Sequence, residues 1–381
     1  MPQYPEFTSA EGFDPSGEEE PAGAGSGSGG SGSPAPPGRG RHRRRGRRGR
    51  LLLTGLGLLV LIVLAFGLWY ELQSHALGPP GRREIVQVAA GESVSSVAST
   101  LSADKVIGST FAFKVSGLVH GNPTLQPGSY EFHQNLTFAE VRSILSGGPN
   151  IYAVTVNPGL TLSEVATRVD ALPGHGGTSF AHLAASGAVH SLFSPAGSDN
   201  LEGLLGTGTY LVLPGETDTT ILVDMVKRFD SQATSAGLTT ASASALGLTP
   251  YQLVTAASVV EKEGYIAKNM PDVARVIYNR LGTNTPLQMD STVLYSLGQD
   301  GGPVTPQDLQ LPSPYNSYLN KGLPPTPICN PSPTAVSAAV HPPAGGWLYF
   351  VVVDKAGTEA FSVTFAGQLA NEKLAQQRGV G

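Results

Sequence analysis

Residues 51–70, LLLTGLGLLVLIVLAFGLWY, contain no charged side chain. At a helical rise of about 1.5 Å per residue this run spans about 30 Å, the thickness of a bilayer core. Trp69 and Tyr70 stand where an interfacial aromatic pair belongs. The run is longer than the apolar stretch of a signal peptide and begins 50 residues into the chain. It reads as an uncleaved, single-pass membrane helix. Eight arginines precede it, and only Arg82 and Arg83 follow closely. The positive-inside rule therefore predicts a cytoplasmic N-terminus and an extracytoplasmic body.

Six acids, Glu6, Glu11, Asp14 and Glu18 to Glu20, occupy the start of the tail, and the arginines cluster in GRGRHRRRGRRGR, residues 38–50. Residues 21–40, rich in Gly, Ser, Pro and Ala, read as disordered. Beyond residue 50 the chain holds 16 basic and 23 acidic residues, a balance unsuited to nucleic acid. The single Cys329 excludes an internal disulfide and argues against a thiolate-rich metal site. The histidines show no HExxH spacing, and there is neither a P-loop nor a dinucleotide-type glycine motif. No metal or organic cofactor is expected.

The body reads as α+β. Residues 71–83 form a linker, and EIVQVA then begins a module over 84–148. Ser93 is placed to cap a helix, and so is Thr137, with Glu140 completing a capping box. VNPGLTLSEVATRV (156–169) repeats the strand, glycine, cap and helix order of VAAGESVSSVASTL (88–101). One reading is two ordinary strand-to-helix units; the sharper one is a LysM-like, glycan-binding α/β module over 84–148. An intermediate α/β region covers 149–245 and includes a low-complexity linker, and a mixed α+β catalytic domain covers 246–381.

Thr249-Pro250 opens a helix that ends at Gly264 and carries Glu261 and Glu263 near its C-terminus. On a wheel of about 100° per residue, Glu261 falls between Ala257 and Val254, inside the apolar stripe. Glu263 falls further round, between Val259 and Ala256. A carboxyl among apolar neighbours has its pKa raised and suits general-acid work. The alternative is that both are solvated at a helix end where negative charge is mildly unfavourable. Beyond them, Asp290 or Ser291 is placed to cap the next helix, and SPYNSYLNKGLPPTPICNPS (313–332) is a Pro- and Asn-rich loop with two tyrosines. WLYFVVVD and EAFSVTF are expected to pair as strands.

The ordered blocks ASVVEKE, VIYNRL, LQMDSTVLYSLG, SPYNSYLNKGLPPTPICNP and YFVVVD…FSVTF resemble the YceG/MltG-like endolytic murein transglycosylases. The resemblance runs over about residues 84–375 and is strongest over 251–365. It implies a membrane-anchored enzyme that cuts the MurNAc-β-1,4-GlcNAc bond within nascent peptidoglycan strands. The sugar's own 6-hydroxyl attacks, leaving 1,6-anhydro-MurNAc ends. The family's catalytic glutamate maps, on this reading, to Glu261. Asn279, Gln288, Asp290, Tyr315 and Asn316 match positions that line the glycan groove. Partners would be peptidoglycan strands, the cytoplasmic membrane and cell-wall synthases. Two departures stand out: LEGLLGTGTY (201–210) places Gly206, Thr207 and Gly208 where the family often has Phe, Pro and Asp, and Glu359 occupies a frequent histidine position. A non-catalytic peptidoglycan-binding scaffold and a muramidase-type hydrolase are the competing readings.

Overall fold

The computed structural model describes residues 45–75, 78–177 and 180–380. Most of the expected tail, up to residue 44, lies outside the described residues. Helix α1 runs Arg45–Ser74, and its stretch Leu52–Ser74 is long and apolar enough to cross a membrane. The helix thus takes up the first residues of the expected linker. Contacts divide the chain at Phe66–Gly67, and the unit from Gly67 onward carries all the other elements.

The first module has strand β1 (Arg83–Val88), helices α2 (Val94–Ala103) and α3 (Thr110–His120), strand β2 (Gly128–His133) and helix α4 (Phe138–Gly147). β1 and β2 pair antiparallel, with Val86 opposite Tyr130. Their inward residues meet Val97, Leu101, Phe113, Val141 and Leu145 in a separate small core. The caps foreseen from sequence form: Ser93 accepts the Ser96 N–H, and Thr137 and Glu140 close a capping box.

Strand β3 (Tyr152–Val156), helices α5 (Leu162–Asp170) and α6 (Phe180–Ala184), and strand β4 (Gly208–Val212) come next, with β3 and β4 antiparallel. The repeated strand-to-helix unit is present in both places. Gly91 and Gly159 turn the chain at φ 77° and 84°, and Ser93 and Thr161 cap the helices after them. The stretch 229–249, expected to include a linker, is folded instead. Helices α7 (Asp218–Ser235) and α8 (Thr240–Ala245) bury Phe229, Ala233 and Ala243. Small residues that look like low complexity allow close helix packing here. One apolar core continues from Val154 past residue 245 to Val340, so no packing break separates the intermediate region from the C-terminal segment.

Helix α9 (Pro250–Glu263) is the centre of the molecule, and the Thr249 cap with Pro250 at its first position is present. Val254, Ala257, Val259 and Val260 are all buried, with Leu253 and Val254 in one core and Val259 and Val260 in another. Helices α10 (Met270–Gly282), α11 (Asp290–Leu297) and α12 (Pro333–Val340) pack around it. Strands β5 (Tyr349–Val352) and β6 (Glu359–Ser362) form an antiparallel hairpin covered by α13 (Phe365–Gln377). The mixed α+β class read from sequence is the class observed.

Candidate active site

The C-terminal turn of α9 presents its two glutamates to different neighbours. Glu261 faces α12. Its Oε2 accepts the Ser332 backbone N–H at 2.9 Å and the Ser332 hydroxyl at 2.5 Å. Ser332 is the N-cap of α12, where orphan N–H groups attract a carboxylate. Glu261 thus does face protein, as the wheel indicated, but its carboxylate is engaged in holding a helix start and is absent from the cavity lining.

Glu263 faces α11. Its Oε1 accepts the Ser291 N–H at 3.2 Å. Helix α11 has Met289 at its N-cap and no side-chain cap of its own, so the expected cap by Asp290 or Ser291 does not form. Glu263 supplies the missing acceptor from another helix. Protein surrounds the carboxyl group densely, and this burial raises its pKa, with a smaller push from the negative Asp290 nearby. The Ser291 contacts and Arg280 act in the opposite direction. The Ser291 hydroxyl is buried beside the same carboxyl.

Two cavities meet at this point. One, of about 640 Å³, is lined by Glu263, Asp290, Ser291, Glu202, Tyr295 and Lys262 among others. The other, of about 290 Å³, is lined by Glu263, Arg280, Gln288, Asp290, Tyr318 and Tyr349 among others. Glu263 and Asp290 belong to both linings. Asp290 accepts the Tyr318 hydroxyl at 2.6 Å. Arg280 is buried and donates from Nε to the Leu348 carbonyl at 2.7 Å, with its guanidinium over the Tyr349 ring. Although five carboxyl side chains line the larger cavity, no three His, Cys, Asp or Glu groups among the described residues are placed to hold a metal ion.

The remaining sequence candidates separate. Gln288 lines the smaller cavity, held at φ 51°, with its N–H donated to the Ser317 carbonyl. Tyr315 stands behind Tyr295, ring centroids 4.9 Å apart, and its hydroxyl meets that of Thr326. Asn279 and Asn316 are in neither lining. Asn279 donates to the Gly345 and Trp347 carbonyls, tying α10 to the loop before β5. Asn316 is fully buried and donates to the Leu309 and Leu311 carbonyls. An Asn amide matches backbone donors and acceptors as well as sugar hydroxyls, and at these two places backbone occupies it.

Sequence reading passed over Glu202, Tyr295, Arg280 and Tyr318. The signal for Glu202 was its place in LEGLLGTGTY. There the departures at Gly206, Thr207 and Gly208 turn out to face α7. A Cβ on Gly206 would lie 2.6 Å from the Phe229 nitrogen, and one on Gly208 would lie 2.5 Å from Arg228 Nη1. The small residues admit α7, while Glu202 keeps its place in the cavity wall. Glu359 is buried beside the site: its carboxyl accepts the Tyr265 N–H at 3.1 Å, and burial raises its pKa to about 7.

The sequence model of the YceG-like family matches residues 86–374. A Bacillus subtilis (strain 168) protein named endolytic murein transglycosylase is 31% identical over 282 residues, covering 70% of this chain and 78% of that one. A Streptococcus pneumoniae (strain ATCC BAA-255 / R6) protein of the same name is 28% identical over 319 residues, and the match spans 57% of its length. The crystal structure of a YceG-like protein of Listeria monocytogenes superposes with a TM-score of 0.50 at 25% identity, covering 76% of this chain and 98% of that one. With the family match extending over most of the body, including every residue of the two cavity linings, the chain belongs to the YceG-like family.

Proposed function

We propose that this chain is an endolytic peptidoglycan lytic transglycosylase in which Glu263 is the acid. The observation that carries the reading is a desolvated carboxyl at the meeting point of two cavities, in a chain whose relatives are named endolytic murein transglycosylases. An enzyme that cuts within a strand needs room for sugars on both sides of its acid, and the two cavities provide it.

Glu263 starts protonated. It donates its proton to the oxygen of the MurNAc-β-1,4-GlcNAc bond as the C1–O bond breaks. The resulting carboxylate then takes the proton of the MurNAc 6-hydroxyl as that oxygen bonds to C1, giving the 1,6-anhydro end. The proton count closes on one carboxyl because the nucleophile belongs to the substrate. A hydrolase would need a second carboxyl to serve as nucleophile or to activate water. Asp290 beside Glu263 favours the protonated form of its neighbour and places negative charge near the cationic sugar of the transition state. Gln288 and Tyr318, both in the lining of the smaller cavity, are the polar groups offered to sugar hydroxyls.

In this reading the helix Leu52–Ser74 anchors the chain in the cytoplasmic membrane, with the arginine-rich N-terminus inside and the body outside. The module 84–148 acts as a LysM-like hold on the glycan, for which its β1-α2-α3-β2 order is the support. The cleavage products terminate glycan strands, which places the enzyme beside peptidoglycan synthases. Mass spectrometry of uncrosslinked glycan strands digested by the purified chain tests the activity. Anhydro ends are expected; reducing ends would establish a hydrolase, and intact strands a binding scaffold.

A further inference from the structure

We propose that Glu202 is a positioning residue that acts through Tyr295, fixing that ring as the wall of the larger cavity on which a sugar of the glycan packs. The inference rests on the glycan-cleaving reading of the site.

Glu202 lines the cavity yet is only 6% exposed. Both its oxygens are committed. Oε1 accepts the N–H of Leu162, the first residue of α5, at 2.9 Å. Oε2 accepts the Tyr295 hydroxyl at 3.2 Å. The segment that carries it is rigid: the Glu202 N–H is donated to Asn200 Oδ1, and Gly203 turns at φ 76°, where a Cβ would collide with the Pro327 side chain. A carboxylate at the start of α5 also gains from the orphan N–H groups there.

Tyr295 lies on the face of α11 that reaches the cavity, together with Asp290, Ser291 and Leu294. One side of its ring meets Tyr315, whose hydroxyl is tied to Thr326. The hydrogen bond to Glu202 holds its far end. A ring fixed at both ends presents a flat apolar surface at little entropic cost on binding, which is what an aromatic wall for a sugar requires. A buried glutamate that merely satisfied α5 would use one oxygen for that purpose. Here the second oxygen reaches across to the helix that carries the residues beside Glu263.

Burial raises the Glu202 carboxyl to about 7, and Glu164 on α5 adds to the rise. Tyr295 on α11, Tyr251 on α9 and the Cys329 thiol also face it. The ionised form is the stronger acceptor for a phenol, so the hold on Tyr295 tightens as pH rises through about 7 and slackens below it.

The test uses the full chain in detergent micelles with uncrosslinked glycan strands, comparing wild type, Tyr295→Phe, Glu202→Ala and the double variant. Tyr295→Phe keeps the ring and removes the tie. It should raise KM roughly tenfold, the loss expected for one hydrogen bond to a charged group, with kcat within about twofold. KM of the wild type should rise on the acid side of about pH 7, and that of Tyr295→Phe should not. The double variant should be no worse than Glu202→Ala alone. Should Glu202→Ala fail to fold, Tyr295→Phe carries the test by itself. A wild-type KM for Tyr295→Phe at every pH, or losses that multiply, would overturn the proposal. Calorimetric binding of the same strands to Glu263→Gln, with and without Tyr295→Phe, gives a readout free of cleavage. A Tyr295-dependent Kd without anhydro products from the wild type would sink the catalytic reading and leave this one standing.

Discussion

Glu359 enters the interior at the start of β6 with one oxygen on the Tyr265 N–H and the other without a partner. It is 7% exposed, and burial carries its carboxyl from 4.5 to about 7, with Glu263 and Asp272 adding to the rise. A group whose folded pKa is raised in this way binds protons more tightly in the native state. Its contribution is therefore most favourable below about pH 4.5, is lost as pH climbs to about 7, and is constant above that. The full cost of ionising it in place is about 3 kcal/mol. Glu359→Gln removes that cost and introduces an amide N–H₂ at the unpartnered position, worth about 1–2 kcal/mol against the variant. The variant should thus be less stable than wild type near pH 4.5 and more stable by about 1–2 kcal/mol near pH 8. The difference between the two should change by about 3 kcal/mol across the window, whatever the amide costs. Trp347, just before β5, whose ring lies 5.6 Å from that of Phe361 on β6, reports unfolding of this hairpin. Urea titrations at pH 4.5, 6 and 8, followed by Trp347 fluorescence in a Trp69→Phe background, measure the difference directly. Parallel stability–pH curves for variant and wild type would refute the assignment of this buried charge.

Other outcomes rest on the same geometry. Ser332→Ala removes the cap of α12 and one of the two donors to Glu261, and should cost about 1–2 kcal/mol by urea unfolding with kcat little changed. Gly203→Ala adds a Cβ at positive φ against Pro327 and should destabilise by at least about 2 kcal/mol, measurable as a fall in Tm. Because burial raises the Glu263 pKa, kcat/KM should fall as pH rises past that pKa, and Asp290→Asn, by removing a negative neighbour, should move the fall to lower pH. Deleting residues 1–74 should release the body from detergent micelles, and a truncated chain that still partitions into them would contradict the anchor.

Local signals were the legible ones. Ser93, Thr137, Thr161 and Thr249 cap helices through contacts three residues away, so the relevant partners are adjacent in the chain. The start of α11 was misread for the complementary reason: its acceptor is Glu263, 28 residues from the Ser291 it serves. The two glutamates of α9 show the same limit. A helical wheel separates their directions but does not say what packs on each side, and here α12 meets one while α11 and the cavities meet the other. Asn279 and Asn316 were placed in the groove by family resemblance, and here their amides donate to backbone carbonyls brought near by tertiary structure. Conversely, the small residues of 229–249 resembled a linker because nothing local reveals that α7 and α8 bury them.

The assignment of Glu263 is tested most directly by the products of three proteins: wild type, Glu263→Gln and Glu261→Gln, each digesting uncrosslinked glycan strands under one set of conditions. Mass spectrometry should find 1,6-anhydro ends from wild type and, at reduced stability of the enzyme, from Glu261→Gln, with none above background from Glu263→Gln. Anhydro ends released by Glu263→Gln at the wild-type rate, or their loss only in Glu261→Gln, would contradict it.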